Sequence, residues 1–151
     1  MTKSILLARP HPFIVTDMMP FLTQAGFRVV KPEGYANLAT LARSCTGAVV
    51  SLAISSSVPE SAAEVYQKLR AAAPALPVLF AGISSLDSLR GSMERIAQQA
   101  GMQAAILGIS AANERTGGLG KSDTLLYVSK EDLADTARRQ MAARMVLRHL
   151  R

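Results

Sequence analysis

Short apolar runs alternate along this chain with longer stretches of helical period, and this alternation limits the folds that the chain can adopt. Each apolar run has the length of one β-strand, and the stretches between them carry apolar residues at the spacing of an amphipathic helix. The pattern is typical of a parallel sheet covered by helices. The predicted strands are residues 4–8, 27–30, 48–54, 78–81 and 103–109, and the first three predicted helices are residues 12–25, 35–44 and 57–72.

The third apolar run, residues 48–54, is nearly all apolar, as expected of a central strand that is buried on both faces. Local signals mark the ends of the helices. Gly26 and Gly101 follow helical stretches, and Ser57 with Glu60 three residues later forms a capping signature. Right-handed crossovers between successive strands then place helices on both faces of the sheet. The sequence therefore predicts an α/β fold with a three-layer, doubly wound parallel sheet.

The alternation changes after residue 109. Residues 110–123 are predicted to form a loop, residues 124–128 an extra strand, and the remainder a long C-terminal helix opened by a capping sequence. The loop contains a Gly-Lys-Ser sequence at residues 120–122, which resembles the end of a phosphate-binding loop. Arg115 stands where that pattern needs its first glycine, and a strand rather than a helix follows. We therefore interpret this segment as a glycine-rich surface loop, and whether it binds an anion stays open.

Length and composition indicate a single domain over residues 1–151. Of its 151 residues 49% are hydrophobic and 19% are charged, and a chain of this length can bury enough surface to fold without disulfides or metal. The one cysteine, Cys45, is expected to act as a small hydrophobic residue in a reducing cytoplasm. No segment reaches the roughly 18 to 20 apolar residues of a membrane span, and no signal-peptide pattern is visible. A cytoplasmic protein is predicted.

Four segments follow one another at a regular order and spacing: Ile5-Leu6-Leu7 followed by His11-Pro12, then residues 26–30, then Leu69-Arg70 with Pro77-Val78-Leu79, and Ala100-Gly101 before the fifth strand. In this order and spacing they resemble the receiver domains of bacterial response regulators. The resemblance covers residues 3–109 and implies a flavodoxin-like sheet with the strand order 2-1-3-4-5. The extra strand and the long C-terminal helix would be additions to this core, within residues 110–151.

The resemblance also implies which positions would carry phosphotransfer. In that family two acids after the first strand hold Mg²⁺, an aspartate ending the third strand accepts the phosphoryl group, a serine or threonine follows the fourth strand, and a lysine follows the fifth. The metal and the lysine neutralise charge on the transferring group. In this chain no acid stands at the acid positions. The corresponding residues are Arg9 and Pro10, then Ser51 or Ser55, then Gly82, and finally Gly108 or, if the preceding segment is an insertion, Lys130.

We therefore expect a degenerate receiver domain that is not an enzyme, holds no metal or cofactor, and works independently of phosphorylation. No arrangement of nucleophile, base and acid is visible, and Cys45 with His11 and His149 gives no zinc-ligand spacing. Such a module would act in bacterial signal transduction by binding a protein partner or by forming a homodimer.

The C-terminal helix is the predicted contact surface. The chain has a net charge of +6, and this helix begins with acids and continues with arginines, as the helix dipole favours. Its methionines suit an adaptable contact surface, although packing onto the sheet would also explain them. The basic residues leave a nucleic-acid-associated regulator open, and the carboxyl edge of the sheet leaves a small-ligand or enzyme site open. The candidate contact residues are Met141, Met145, Arg138, Arg144 and Arg148.

Overall fold

A six-stranded parallel sheet forms the centre of the computed structural model, which describes residues 3–9, 17–32, 34–52 and 60–150. Its strands are β1 (Ser4–Arg9), β2 (Arg28–Val30), β3 (Gly47–Ser51), β4 (Val78–Gly82), β5 (Ala105–Leu107) and β6 (Thr124–Ser129). They lie in the order β2-β1-β3-β4-β6-β5, and every neighbouring pair is parallel. The predicted α/β class and the order 2-1-3-4-5 are confirmed, with the extra strand inserted between β4 and β5.

Helices cover both faces of this sheet. They are α1 (Met19–Gln24), α2 (Leu38–Ser44), α3 (Ala62–Ala72), α4 (Leu86–Gln99), α5 (Ile109–Glu114) and α6 (Thr136–Leu150). Helices α2, α3 and α4 follow crossovers that run toward β5 and pack on one face. Helices α1 and α5 follow crossovers that run the opposite way, and they share the other face with α6. This division is what crossovers of one hand require.

Each face of the sheet has its own hydrophobic core, because successive residues of a strand point to opposite faces. In β6, Leu126 and Val128 face the core under α1, α5 and α6, whereas Leu125 and Tyr127 face the core under α2, α3 and α4. All six residues of β6 are buried. By contrast, β5 has three residues and its Ala105 is exposed. The longer strand, apolar on both faces, therefore lies inside the sheet and the shorter one at its edge.

Several predicted elements differ from the observed ones. The predicted loop at 110–123 was wrong in its first part, because the chain forms α5 there and then a 3-10 turn, Thr116–Gly118. Ile109 and Ala112 are buried, which gives this short helix one side to pack on the core. The start of α3 also differs. Ser57 lies outside the described residues, and α3 is instead capped by Ser61, whose Oγ accepts the Glu64 N–H at 3.2 Å.

Other predicted boundaries reach beyond what the structure describes. The first half of the predicted helix 12–25 falls on residues 10–16, and the end of the predicted strand 48–54 falls on residues 53–59. Within the described ranges, none of the helices has the length and hydropathy that crossing a membrane requires.

The capping sequence at Ser129 opens a 3-10 turn, Lys130–Leu133, rather than α6 itself. Ser129 N–H donates to Asp132 Oδ2 at 2.8 Å, and Asp132 N–H donates to Ser129 Oγ at 3.3 Å. Helix α6 starts three residues after this turn, at Thr136. This capped 3-10 turn therefore leads the chain from the end of β6 to α6 on the face of the sheet.

The C-terminal end of α6 packs against the amino-terminal ends of β3 and β4 through Leu150 and His149. A Cβ on Gly47 would lie 2.7 Å from Leu150 Cδ2, so glycine is what allows the close approach of α6 to β3. His149 is fully buried, with Nε2 2.9 Å from the Val78 carbonyl oxygen. Its Nδ1 accepts the Gly120 N–H at 3.1 Å. The ring is therefore neutral, with its proton on Nε2 donated to Val78.

This burial makes His149 a source of pH-dependent stability. Desolvation lowers the pKa of His149, the hydrogen bond to Val78 raises it in part, and the charge of Arg70 lowers it further. A proton added to Nδ1 would also face the Gly120 N–H. In the unfolded chain a histidine takes up its proton near pH 6.5, so below that pH the unfolded state binds the proton first and gains stability relative to the folded state.

We predict that the free energy of unfolding falls as the pH drops below about 6.5, by at most about 1.4 kcal/mol per pH unit from this residue. Urea unfolding at several pH values above and below 6.5 measures this. The variant His149→Gln can keep a donor toward Val78 and an acceptor toward Gly120, but it does not titrate. Its difference from the wild type should be constant above pH 6.5 and should shrink or reverse below it. A difference that is independent of pH across the whole range would contradict the prediction.

Candidate functional site

The carboxyl ends of four neighbouring strands meet at one edge of the sheet, where open parallel sheets bind their ligands. The last residues of β1, β3, β4 and β6 are Arg9, Ser51, Gly82 and Ser129. The register places Arg9 opposite Val50, Ser51 opposite Ala81, and Gly82 opposite Ser129. This edge therefore brings together the residues that the sequence singled out after the first, third and fourth strands.

Arg9 is directed across this edge from β1 to β3. The register of β1 against β3 shifts between Leu7 and Arg9, so a bulge precedes the arginine, and bulges commonly redirect a side chain. Its Nη1 donates to the Ser51 carbonyl oxygen at 3.0 Å, and its Nε donates to the Glu60 carbonyl oxygen at 3.0 Å. Arg9 is 4% exposed and Ser51 is 1% exposed. A buried cation therefore bridges the ends of β1 and β3 and the residue before the Ser61 cap of α3.

The charge on Arg9 is fixed. Burial lowers the pKa of Arg9, but a guanidinium remains protonated throughout the physiological range. Glu60, whose backbone carbonyl accepts the Arg9 Nε–H, places an acidic residue beside this bridge. Its Oε2 is buried and accepts no hydrogen bond there.

The described part of the chain contains no group of three or more histidine, cysteine or acidic residues that could hold a metal ion. Of the positions that the resemblance singled out, Pro10 and Ser55 lie outside the described residues.

Gly82, at the end of β4, is covered by the side chain of Tyr127 from β6. A Cβ on Gly82 would lie 2.7 Å from the Tyr127 hydroxyl oxygen and 3.1 Å from Leu89 Cδ1. The Tyr127 hydroxyl donates a short hydrogen bond to the Ser84 carbonyl oxygen. Burial raises the pKa of Tyr127, and the charge of Asp132 raises it further, so the phenol stays a neutral donor. The side-chain hydroxyl beside the end of β4 thus comes from a tyrosine, which the sequence analysis missed.

The two candidates for the lysine position are separated by the strand order. Lys130 follows β6, the strand that pairs with β4, and it is exposed in the 3-10 turn. Gly108 follows β5 at the edge of the sheet and is the N-cap residue of α5. Lys130 therefore lies after the strand next to β4, where the resemblance implies a lysine, and Gly108 does not.

The glycine-rich segment at 117–122 does not have the geometry of a phosphate-binding loop. Gly117 and Gly118 belong to the 3-10 turn, and the segment leads into β6. A phosphate-binding loop needs a following helix whose N-terminal N–H groups hold the phosphates. Gly120 instead uses its N–H to hold His149.

The candidate contact residues of α6 divide between its two sides. Met145 is 4% exposed and Met141 is half-buried, and both contact the core, so packing onto the sheet accounts for them. Arg138, Arg144 and Arg148 are exposed, and Arg138 Nε lies 3.4 Å from Asp135 Oδ2. The arginine side of α6, and not the methionine side, is the available surface.

Comparison with known proteins gives structural likeness without sequence likeness. No protein-family model matches the chain, and no curated protein matches it. One similar solved structure is the receiver domain of a sensor histidine kinase from Pseudomonas aeruginosa, which has a magnesium ion coordinated in its active-site cleft. It superposes with a TM-score of 0.59 at 17% identity, covering 99% of this chain and 98% of that chain.

A second similar structure is a response regulator receiver protein from Sinorhizobium medicae. Its TM-score is 0.54 at 18% identity, over 99% of this chain and 94% of that chain. Both likenesses span nearly the whole of each chain. The chain therefore has the fold of a response regulator receiver domain.

Proposed function

We propose that this chain is a receiver-like signalling module that works without phosphorylation and without catalysis, by binding a protein partner. The fold supports the signalling part of this proposal by its likeness to receiver domains. The part that concerns phosphorylation and catalysis is supported by the buried Arg9 guanidinium between the ends of β1 and β3. A fold alone does not define a function, whereas the chemistry of this edge limits what the domain can do.

A fixed cation at this position opposes the binding of a divalent metal. Two unit positive charges about 4 Å apart repel each other by about 4 kcal/mol at an effective dielectric constant of about 20, and a divalent ion roughly doubles this energy. Magnesium is usually held by one or two carboxylates with waters and phosphate oxygens. Arg9 and Pro10 stand where the resemblance implies two acids after β1, and Ser51 or Ser55 stands where it implies the acceptor aspartate. Without a metal and an acceptor carboxylate, Lys130 alone cannot support phosphoryl transfer.

A cytoplasmic location belongs to the same proposal. Cys45 is a free, half-buried thiol whose pKa is raised mainly by desolvation, and a reducing compartment preserves such a group.

The proposal predicts that the intact mass of the protein stays unchanged after incubation with acetyl phosphate and Mg²⁺. A Mg²⁺ titration followed by ¹H–¹⁵N NMR should likewise leave the amide signals of Arg9, Ser51, Gly82 and Ser129 in place. The Pseudomonas receiver domain, which holds magnesium in its crystal structure, is the positive control for the titration. A stable phosphoryl adduct, or saturable shifts confined to these four residues, would refute the proposal.

We further predict that Arg9→Met destabilises the protein by about 1–3 kcal/mol, since it leaves the carbonyl groups of Ser51 and Glu60 without their donor. The matched control is Arg95→Met, which removes the same charge from an exposed position in α4. Chemical unfolding of both variants measures the difference. Equal stabilities would show that the Arg9 bridge does not hold this edge together.

A last prediction concerns Gly82. The variant Gly82→Ser restores a hydroxyl at the implied position, but its Cβ would collide with Tyr127, at an expected cost of about 1–3 kcal/mol. Removing the Tyr127 hydroxyl leaves the ring carbon Cε1 as the nearest Tyr127 atom, at 3.5 Å. The double variant Gly82→Ser with Tyr127→Phe should therefore be more stable than the sum of the single changes predicts, by about 0.5–3 kcal/mol. Strict additivity in this double-mutant cycle would contradict the packing described here.

A further inference from the structure

A surface groove lies between α1 and α6, on the face of the sheet that these two helices cover. Its volume is about 430 Å³, within the range of about 300–1,000 Å³ that is typical of binding sites. The apolar part of its lining comes from both helices and from the turn before α6, and includes Phe21, Ala25, Leu133 and Ala143. The groove therefore offers an apolar floor between two helices.

The rim of this groove carries one arginine, Arg139. The Arg139 guanidinium lies 5.3 Å from the centroid of the Phe21 ring, and its Nη2 lies 3.5 Å from Gln24 Oε1. Of the described residues that line the groove, Asp135 is the one acid. Its carboxylate accepts the Arg138 N–H at 2.9 Å and pairs with the Arg138 guanidinium, so its charge is already compensated.

Outside the groove lining, the rest of α6 is also basic. Residues 136–150 contain four arginines and no aspartate or glutamate, and Arg138, Arg144 and Arg148 are exposed. Helix α1 contributes no charged residue that would compensate them. An occupant of this groove gains most if it brings acidic side chains to the rim and apolar side chains to the floor.

We propose that the groove between α1 and α6 binds an acidic amphipathic helix of a partner protein. A helix that presents apolar residues at positions i, i+3, i+4 and i+7 to such a floor follows a common mode of peptide recognition. Glutamates or aspartates beside that apolar stripe would face Arg139, whose charge is not neutralised by Asp135 because Asp135 pairs with Arg138. The inference rests on the proposed function and names the chemistry of the partner.

Charge and floor chemistry favour this occupant over a second copy of the chain and over nucleic acid. A second copy docked groove to groove would bring the Arg139 side chains of the two chains together, and like charges across an interface are unfavourable. Nucleic acid would satisfy the arginines through its phosphates but would leave the apolar floor uncovered. Bases would also find Phe21 already covered by Arg139, and base stacking needs an open aromatic face.

The test uses the full chain and a fluorescein-labelled synthetic peptide of about 15 residues, with leucines at helical spacing and glutamates elsewhere. Anisotropy at about 0.15 M salt measures its affinity. Binding should shift the amide NMR signals of Phe21, Gln24, Leu133 and Thr136. Arg139→Glu should weaken binding about ten-fold or more, whereas Arg95→Glu, the same charge change on the opposite helical layer, should alter it less than about two-fold.

Ala134→Trp is the second variant. It should also weaken binding because the indole fills the groove without changing the charge, and circular dichroism confirms that both variants remain folded. The proposal is overturned if a peptide with lysines for the glutamates binds equally well. Equal binding by Arg139→Glu and Arg95→Glu overturns it too, as does duplex DNA that binds more tightly and displaces the acidic peptide. None of these readouts depends on phosphodonors or magnesium, so failure here leaves the phosphorylation-independent function standing, and the reverse also holds.

Discussion

The pairing of β6 with β4 is the constraint on which the carboxyl-terminal third of this structure depends. A parallel strand inside a sheet must be apolar on both faces, and β6 satisfies this with Leu125 and Tyr127 on one side and Leu126 and Val128 on the other. Because β6 lies between β4 and β5, the connection from β5 to β6 runs back toward β4. A crossover of the same hand then places α5 on the face of the sheet that α1 covers. Helix α6 then packs beside α1, which creates the groove, and Tyr127 reaches Gly82.

The Arg9 bridge gives the carboxyl edge of this sheet a different electrostatic character from that of a metal site. A metal site needs several oxygens around an exchangeable cation, whereas here one covalently attached cation already binds two carbonyl oxygens from the ends of neighbouring segments. A metal can leave and a phosphoryl group can be hydrolysed, but a buried guanidinium can do neither. On the proposed function, the edge is therefore held in one arrangement, and binding rather than chemistry carries the signal.

The sequence predicted features that depend on local pattern, and it left open those that depend on distant pairing. Apolar runs are enough to locate β1, β3 and β4, and Gly101 with its positive φ ends α4 as predicted. The strand order depends on whether β5 or β6 pairs with β4, and residues 108–123 separate these two strands in the sequence. The sequence therefore left both Gly108 and Lys130 as candidates for the lysine position. Helix α5 was missed because six residues without a capping side chain give little periodic signal. The sequence also could not show that Met145 is buried or that a groove lies beside α6. Both depend on how α6 packs on the sheet, which decides which of its sides is exposed to solvent.

The same turn connects the candidate edge with the proposed docking groove. Asp132 caps Ser129 at the end of β6, and the next residue, Leu133, lines the groove. In a switching protein, such a turn could couple the two sites only if it had two arrangements that each site biases differently. Here the reciprocal Ser129–Asp132 hydrogen bonds and the fixed Arg9 charge favour one arrangement. On this reasoning the groove is available whenever the domain is folded, so its occupancy depends on the concentration and charge of the partner and on whether α6 stays docked through His149.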